Sequence, residues 1–130
     1  MEYLCPKCNG HLTLEDSVIF SVKTSSNKRG LISLHSEIGN YSVKKHPDFL
    51  FKDGDHLDFF CPICNTKLAS EIYDKLARII MIDDQNNEFE VLFSQVAGKK
   101  STFKIVGETM ETYGDDSAEY IDFVNLSMNF

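Results

Sequence analysis

Four cysteines in two matched pairs are the residues best placed to do chemistry in this chain: Cys5-Pro6-Lys7-Cys8-Asn9-Gly10 and Cys61-Pro62-Ile63-Cys64-Asn65. A tight turn over each pair aims both thiols at one point. Two such turns facing each other make a tetrahedral cage of four sulfurs. Each proline stiffens its turn. Asn9, Gly10 and Asn65 stand where a left-handed residue lets backbone N–H groups point at sulfur. Soft thiolates select zinc or iron. A redox dithiol is the competing reading of one CxxC, and the duplication of CPxC speaks against it. A disulfide framework would need an oxidising compartment, and nothing in the sequence supplies one. The expectation is that Cys5, Cys8, Cys61 and Cys64 hold a single Zn2+, with iron the lesser alternative. The 52 residues between Cys8 and Cys61 must then fold as an insertion whose ends return to one place.

The remaining polar residues add little to that site. His11 and His56 lie near the cysteines in sequence, but four thiolates leave no open position for a further ligand or an activated water. His35 and His46 read as surface or turn residues. Lys7 and Lys67 either offset the thiolate charge or are simply exposed. Asp53, Asp55 and Asp58 do not meet the spacing of a calcium loop and read as turn caps. Phosphate loops, dinucleotide-binding glycines, HExxH helices and nucleophile elbows are all missing, so the chain is not expected to be an enzyme.

A second cluster is basic. Lys23, Lys28, Arg29, Lys44 and Lys45 fall between Phe20 and Pro47, where Glu37 is the sole acid. With Phe20 and Tyr41 interspersed, this is the composition of a small RNA- or phosphate-contacting face. The simpler alternative, favoured by the modest charge density, is a solvated hairpin edge on which lysines block unwanted strand pairing. The rest of the chain is acidic. Residues 61–130 carry 12 acids against 6 bases, and the net charge is −7. From Glu108 to Asp122 there are six acids (Glu108, Glu111, Asp115, Asp116, Glu119, Asp122) and no Lys or Arg. That balance discourages non-specific nucleic-acid binding by the whole molecule while leaving a local basic face open.

The elements that must position these residues read as strands. A chain of 130 residues with 10 Phe and 5 Tyr can bury a core and is expected to form one domain. No apolar run has membrane-helix length, and the first residues lack the pattern of a signal peptide, which together suggest a cytoplasmic protein. Strands are expected at 1–4, 11–14 and 18–23, where Val18, Phe20 and Val22 alternate with Ile19, Ser21 and Lys23. Further strands follow at 31–35 and 41–44. Residues 49–51 and 57–60 flank Asp53-Gly54-Asp55 as a hairpin, and the second runs into Cys61. Segment 67–82 is ambiguous: Ile72, Leu76, Ile79 and Ile80 fit a helical stripe, but the β-branched run over 78–82 favours a turn or one helical turn followed by a strand over 76–82. A β-meander is then completed by 88–96 and 102–106, with Phe89, Val91 and Phe93 on one side and Phe103 and Ile105 inward. The tail 114–130 fits a strand, with Ile121 and Phe123 alternating. It equally fits a short helix, with Asp116 and Glu119 as a capping box and Ile121, Val124 and Met128 on one face. No internal repeat is visible apart from the knuckles.

The two CPxC knuckles resemble those of the zinc-ribbon group, in which such turns sit at the tips of β-hairpins. The resemblance implies a structural metal on Cys5, Cys8, Cys61 and Cys64, in a module that touches nucleic acid or another protein. It is also similar to the knuckles of rubredoxins, small iron electron carriers, although Asn9 and Asn65 replace the glycine found there after the second cysteine. The whole chain resembles small uncharacterised bacterial zinc-ribbon proteins. The fold expected is therefore mainly β: a zinc ribbon with a long antiparallel insertion (1–68), a β-meander (69–107) and an acidic C-terminal segment (108–130). The function expected is a non-enzymatic interaction module. Its partner would be a protein or nucleoprotein complex, with RNA or ribosome association through 23–45 as the alternative and iron electron transfer as the second.

Overall fold

The computed structural model describes residues 1–71, 73–107, 109–121 and 124. Ten strands follow in chain order: β1 (Glu2–Leu4), β2 (Thr13–Leu14), β3 (Ser17–Thr24), β4 (Arg29–His35), β5 (Val43–Lys45), β6 (Leu57–Phe60), β7 (Leu76–Ile82), β8 (Glu88–Ser94), β9 (Thr102–Val106) and β10 (Thr109–Tyr113). The fold is mainly β, and every ladder is antiparallel. One five-stranded sheet has the order β1-β7-β8-β9-β10. The other has β2-β3-β4-β5, with β6 also on β3. That second sheet is made entirely of residues between the knuckles, as an insertion requires. The first takes β1 from ahead of the first knuckle, so the two cysteine turns lie where the chain passes between sheets.

Period-two alternation generates the core. Along β3 the side chains of Val18, Phe20, Val22 and Thr24 are buried while their neighbours are half-exposed. Phe20 and Phe59 of one sheet meet Phe93 of the other. Their ring centroids are 5.3 Å (Phe20–Phe59), 5.4 Å (Phe20–Phe93) and 5.1 Å (Phe59–Phe93) apart, in edge-on or tilted contacts that aromatic quadrupoles favour. The two sheets thus pack face to face over one buried cluster. A smaller cluster (Leu76, Leu92, Phe103, Tyr120, Val124) lies on the opposite face of the β7–β8–β9 sheet, under the C-terminal segment.

The halves of the chain repeat one another, contrary to the expectation of a repeat confined to the knuckles. Lys23↔Arg29 in β3–β4 has its counterpart in Ile82↔Glu88 of β7–β8, and Ile32↔Lys45 of β4–β5 in Val91↔Lys104 of β8–β9, at one constant shift along the chain. The hairpin turns match bond for bond. Asn27 N–H donates to the Thr24 carbonyl at 2.9 Å, and Asn86 N–H to that of Asp83 at 3.0 Å. Both asparagines are left-handed, with φ 66° and 65°. The next turns match as well, through Gly39 and Gly98 at φ 95° and 82°. The leading strands are exchanged: β1 of the first half pairs with β7 of the second, and β6 of the second half pairs with β3 of the first. The molecule is an internal duplication about a pseudo-twofold axis, each half lending its first strand to the other's sheet.

Two expectations are corrected. Residues 49–51 do not form a strand opposite 57–60. β6 pairs with β3, where it gains a four-residue ladder, and the ring of Phe49 packs over Gly30 instead. The turn after 51 docks on the other sheet, with Gly54 N–H donating to the Ala97 carbonyl at 2.8 Å. Phe103 points inward as expected, buried beneath the C-terminal segment with Ile105 packed against the same cluster. Asp116 makes no side-chain cap on the 3-10 turn Ser117–Glu119; its Oδ2 accepts from Lys100 N–H at 2.8 Å. Strand β10 has no counterpart in the sequence reading. Glu108, Asp122, Phe123 and Met128 lie outside the described residues.

Candidate metal centre

Each knuckle is the tip of a short hairpin. The first is closed by Leu4 bridging His11, the second by Phe60 bridging Lys67. Within the first, Cys5 N–H donates to the Gly10 carbonyl at 3.1 Å and Asn9 N–H to the Cys5 carbonyl at 2.9 Å. Cys61 with Thr66 (3.0 Å) and Asn65 with Cys61 (2.9 Å) repeat this in the second. Asn9 and Asn65 take left-handed φ of 59° and 62°, which asparagine tolerates better than most residues. The backbone then turns N–H groups toward sulfur. Lys7 N–H lies 3.4 Å from Cys5 Sγ, Gly10 N–H 3.3 Å from Cys8 Sγ, and Ile63 N–H 3.4 Å from Cys61 Sγ.

The four sulfurs converge. Cys5 Sγ is 3.8 Å from Cys64 Sγ, and Cys8 Sγ is 3.8 Å from Cys61 Sγ, a pair of distances related by the pseudo-twofold. All four atoms lie within 4.8 Å of one another. A tetrahedron with metal–sulfur bonds of about 2.3 Å has edges of about 3.8 Å, so the cage fits a four-thiolate ion. A disulfide would need sulfurs about 2 Å apart, and all four cysteines are free. Cys5 and Cys61 are fully buried and Cys8 and Cys64 exposed, so the cage has an inner and an outer edge.

Burial pushes the Cys5 thiol up to about 12 and the Cys61 thiol up as well. The backbone N–H of Thr66 holds Cys64 below the usual thiol range. Placing a dication between the sulfurs therefore requires release of protons from the buried pair, and the N–H groups aimed at sulfur soften that cost. The donor set is soft, saturated and chemically suited to one metal ion. It offers no fifth position for a substrate or water.

The histidines stay out of the cage. His11 Nδ1 is 3.3 Å from Glu2 Oε2, and His56 Nε2 is 3.1 Å from Asp58 Oδ1. Lys67 pairs with the same Asp58 at 3.5 Å. Asp55 caps its own turn through Lys52 N–H at 2.9 Å.

The basic residues divide between two faces. On the outer face of the insertion sheet, Lys23 and Arg29 are paired, and Lys44 lies opposite Ser33 on the same side. Lys28 stands in the adjoining turn. Lys45 lies opposite Ile32 on the inner face and donates to the Phe49 carbonyl at 2.6 Å, which removes it from the group. Phe60, not Phe20 or Tyr41, supplies the aromatic surface. The Arg29 guanidinium sits 4.4 Å and the Lys23 ammonium 5.9 Å from its ring centroid. Phe20 is core, and Tyr41 bonds Thr102 and Tyr113 of the other sheet. The strand register β3–β6 is what brings Phe60 here, and composition alone does not disclose it. Among the described residues no helix is long and apolar enough to cross a membrane. No protein-family model, no curated protein and no solved structure matches this chain.

Proposed function

We propose that this chain is a non-enzymatic protein of the zinc-ribbon kind, in which one Zn2+ on Cys5, Cys8, Cys61 and Cys64 ties two duplicated halves together. The observation that carries this reading is the pair of 3.8 Å sulfur–sulfur edges, contributed crosswise by the two knuckles. A metal so saturated by protein has a structural task. The module then works by presenting a surface to another macromolecule in the cytoplasm, a protein or nucleoprotein complex. The surface this reading favours is the outer face of the insertion sheet. The corresponding face of the other sheet is covered by Tyr120 and Val124, whereas Leu31 on this one is 60% exposed. Elemental analysis of purified protein tests the metal: one zinc per chain is expected, and a metal-free protein with an unchanged melt would overturn the structural role. A coloured preparation with a reversible redox couple would favour iron instead.

A second reading is RNA association through the same face, favoured by Lys23 and Arg29 over the Phe60 ring with Lys28 and Lys44 nearby. Binding of a single-stranded RNA should then fall steeply with salt and with charge reversal at Lys28 and Lys44. Binding that survives both changes excludes this mode.

A further inference from the structure

Beside the packed cluster the two sheets leave a pocket of about 480 Å³, open to solvent at the turns through Gly39 and Gly98, with Val18, Phe20 and Ile32 of one sheet and Ile79, Val91 and Phe93 of the other at its floor. Protein interiors hold few voids larger than a water molecule, whereas this volume lies in the range of small-molecule sites. It sits on the pseudo-twofold: Ile32 and Val91 are counterparts, as are the two turns through Gly39 and Gly98 that border its mouth.

The polar groups of the wall are spoken for. Tyr3 O–H donates to the Ser36 carbonyl at 2.6 Å, and Gln95 spends its amide on Phe59 N–H and the Asp74 carbonyl. Among the described residues no buried side-chain nitrogen or oxygen lacks a partner. Water held there would find no unpartnered buried side-chain nitrogen or oxygen, which favours an apolar occupant. At the rim, Lys99 is held by Glu119 at 2.6 Å and His35 lies 3.8 Å from Asp16. Lys45 and Lys100 then stand against Glu37 and Asp53, two charges of each sign. A rim so balanced gives a charged head group no net preference.

We propose that this cavity is a binding site for an uncharged apolar small molecule, with at most one neutral polar group left at the mouth. The test uses the full-length, metal-loaded chain and the neutral fluorescent probe N-phenyl-1-naphthylamine, with 1-decanol and decanoate as competitors. Saturable one-to-one binding is expected. Decanol should displace the probe at least about tenfold more effectively than decanoate, because a carboxylate loses hydration on entering an apolar site whose two rim lysines are offset by two rim carboxylates. Val91→Phe and Ile32→Phe, which fill the cavity from opposite sheets, should each weaken probe binding about tenfold or more and leave the melting temperature level or higher. Absence of saturable binding, or binding untouched by both substitutions, overturns the site. Equal displacement by decanoate overturns the ligand class. If both variants fail to fold, the space was never free and the proposal falls with it.

Discussion

Arg29 Nη2 donates to Asn65 Oδ1 at 3.0 Å while its guanidinium lies over the Phe60 ring. One side chain thus ties the β3–β4 hairpin to the backbone-critical asparagine of the second knuckle. It belongs at once to the candidate contact face and to the frame of the metal site. Arg29→Ala should cost about 1 kcal/mol of stability through the lost stacking and hydrogen bond, whereas Lys44→Ala, which makes neither contact, should cost less than about 0.5 kcal/mol. Denaturant melts of the two variants decide this, and equal costs would show that the Arg29 contacts contribute nothing. For the same reason Lys28 and Lys44 are the cleaner sites at which to test RNA binding.

Removing the metal should be far more damaging than any one side chain. Structural zinc in small sites contributes on the order of 10–16 kcal/mol in apparent binding at neutral pH, more than the net stability of many domains. Cys5→Ser, at a buried corner of the cage, should leave substoichiometric zinc and abolish the cooperative melt expected of the loaded protein. Cys8→Ser, at the exposed corner, should retain weaker binding. Calorimetry beside elemental analysis separates the two outcomes.

The pH dependence has opposite signs with and without metal. Without metal, burial raises Cys5 from 9.0 to about 12, so folding favours the neutral thiol. Its contribution is complete below about pH 9 and is lost as pH rises toward 12. With metal the thiols must be ionised, so zinc affinity rises with pH and the ion is shed on acidification. Competition with a metallochromic chelator across a pH series should show affinity falling steadily toward acid. A flat profile would mean that these thiols carry no protons to release.

What the sequence discloses and what it hides follow a physical division. The knuckles are legible because a four-sulfur site fixes residue type and spacing, and β3 because burial on one face fixes alternation; β7, buried on both faces, carries no clean period, and its sequence leaves helix open. The duplication is hidden because it is conserved in backbone geometry. Arg29 corresponds to Glu88 and Gly30 to Phe89, yet the ladders and the left-handed asparagines coincide. Residues 49–51 misled because apolar residues flanking Asp53-Gly54-Asp55 resemble a hairpin, whereas the open edge of β3 beyond β2 offered β6 a better partner.

The matched turns allow a direct check on that duplication. Asn27 and Asn86 both sit at left-handed φ, where an ordinary Cβ is strained by about 1–2 kcal/mol. Asn27→Ala and Asn86→Ala should therefore destabilise by similar amounts, about 1 kcal/mol each, and glycine at either position should be nearly neutral. Costs that differ by more than about 1 kcal/mol would show that the two hairpins are not held alike.

Gly30 and Phe49 show how the halves have diverged. The second half places Phe89 where the first has Gly30, and in the first half the ring comes instead from Phe49. A Cβ on Gly30 would lie 2.7 Å from that ring, closer than packed atoms tolerate. Gly30→Ala should thus cost about 1–3 kcal/mol by overpacking, and Phe49→Ala about 3 kcal/mol by leaving a void. In the double variant the new methyl occupies part of the vacated space, so the combined loss should fall short of the sum by about 1 kcal/mol or more. Chemical denaturation of the four proteins in the cycle measures that difference. Strict additivity would mean that the strain at Gly30 comes from its backbone and not from the ring above it.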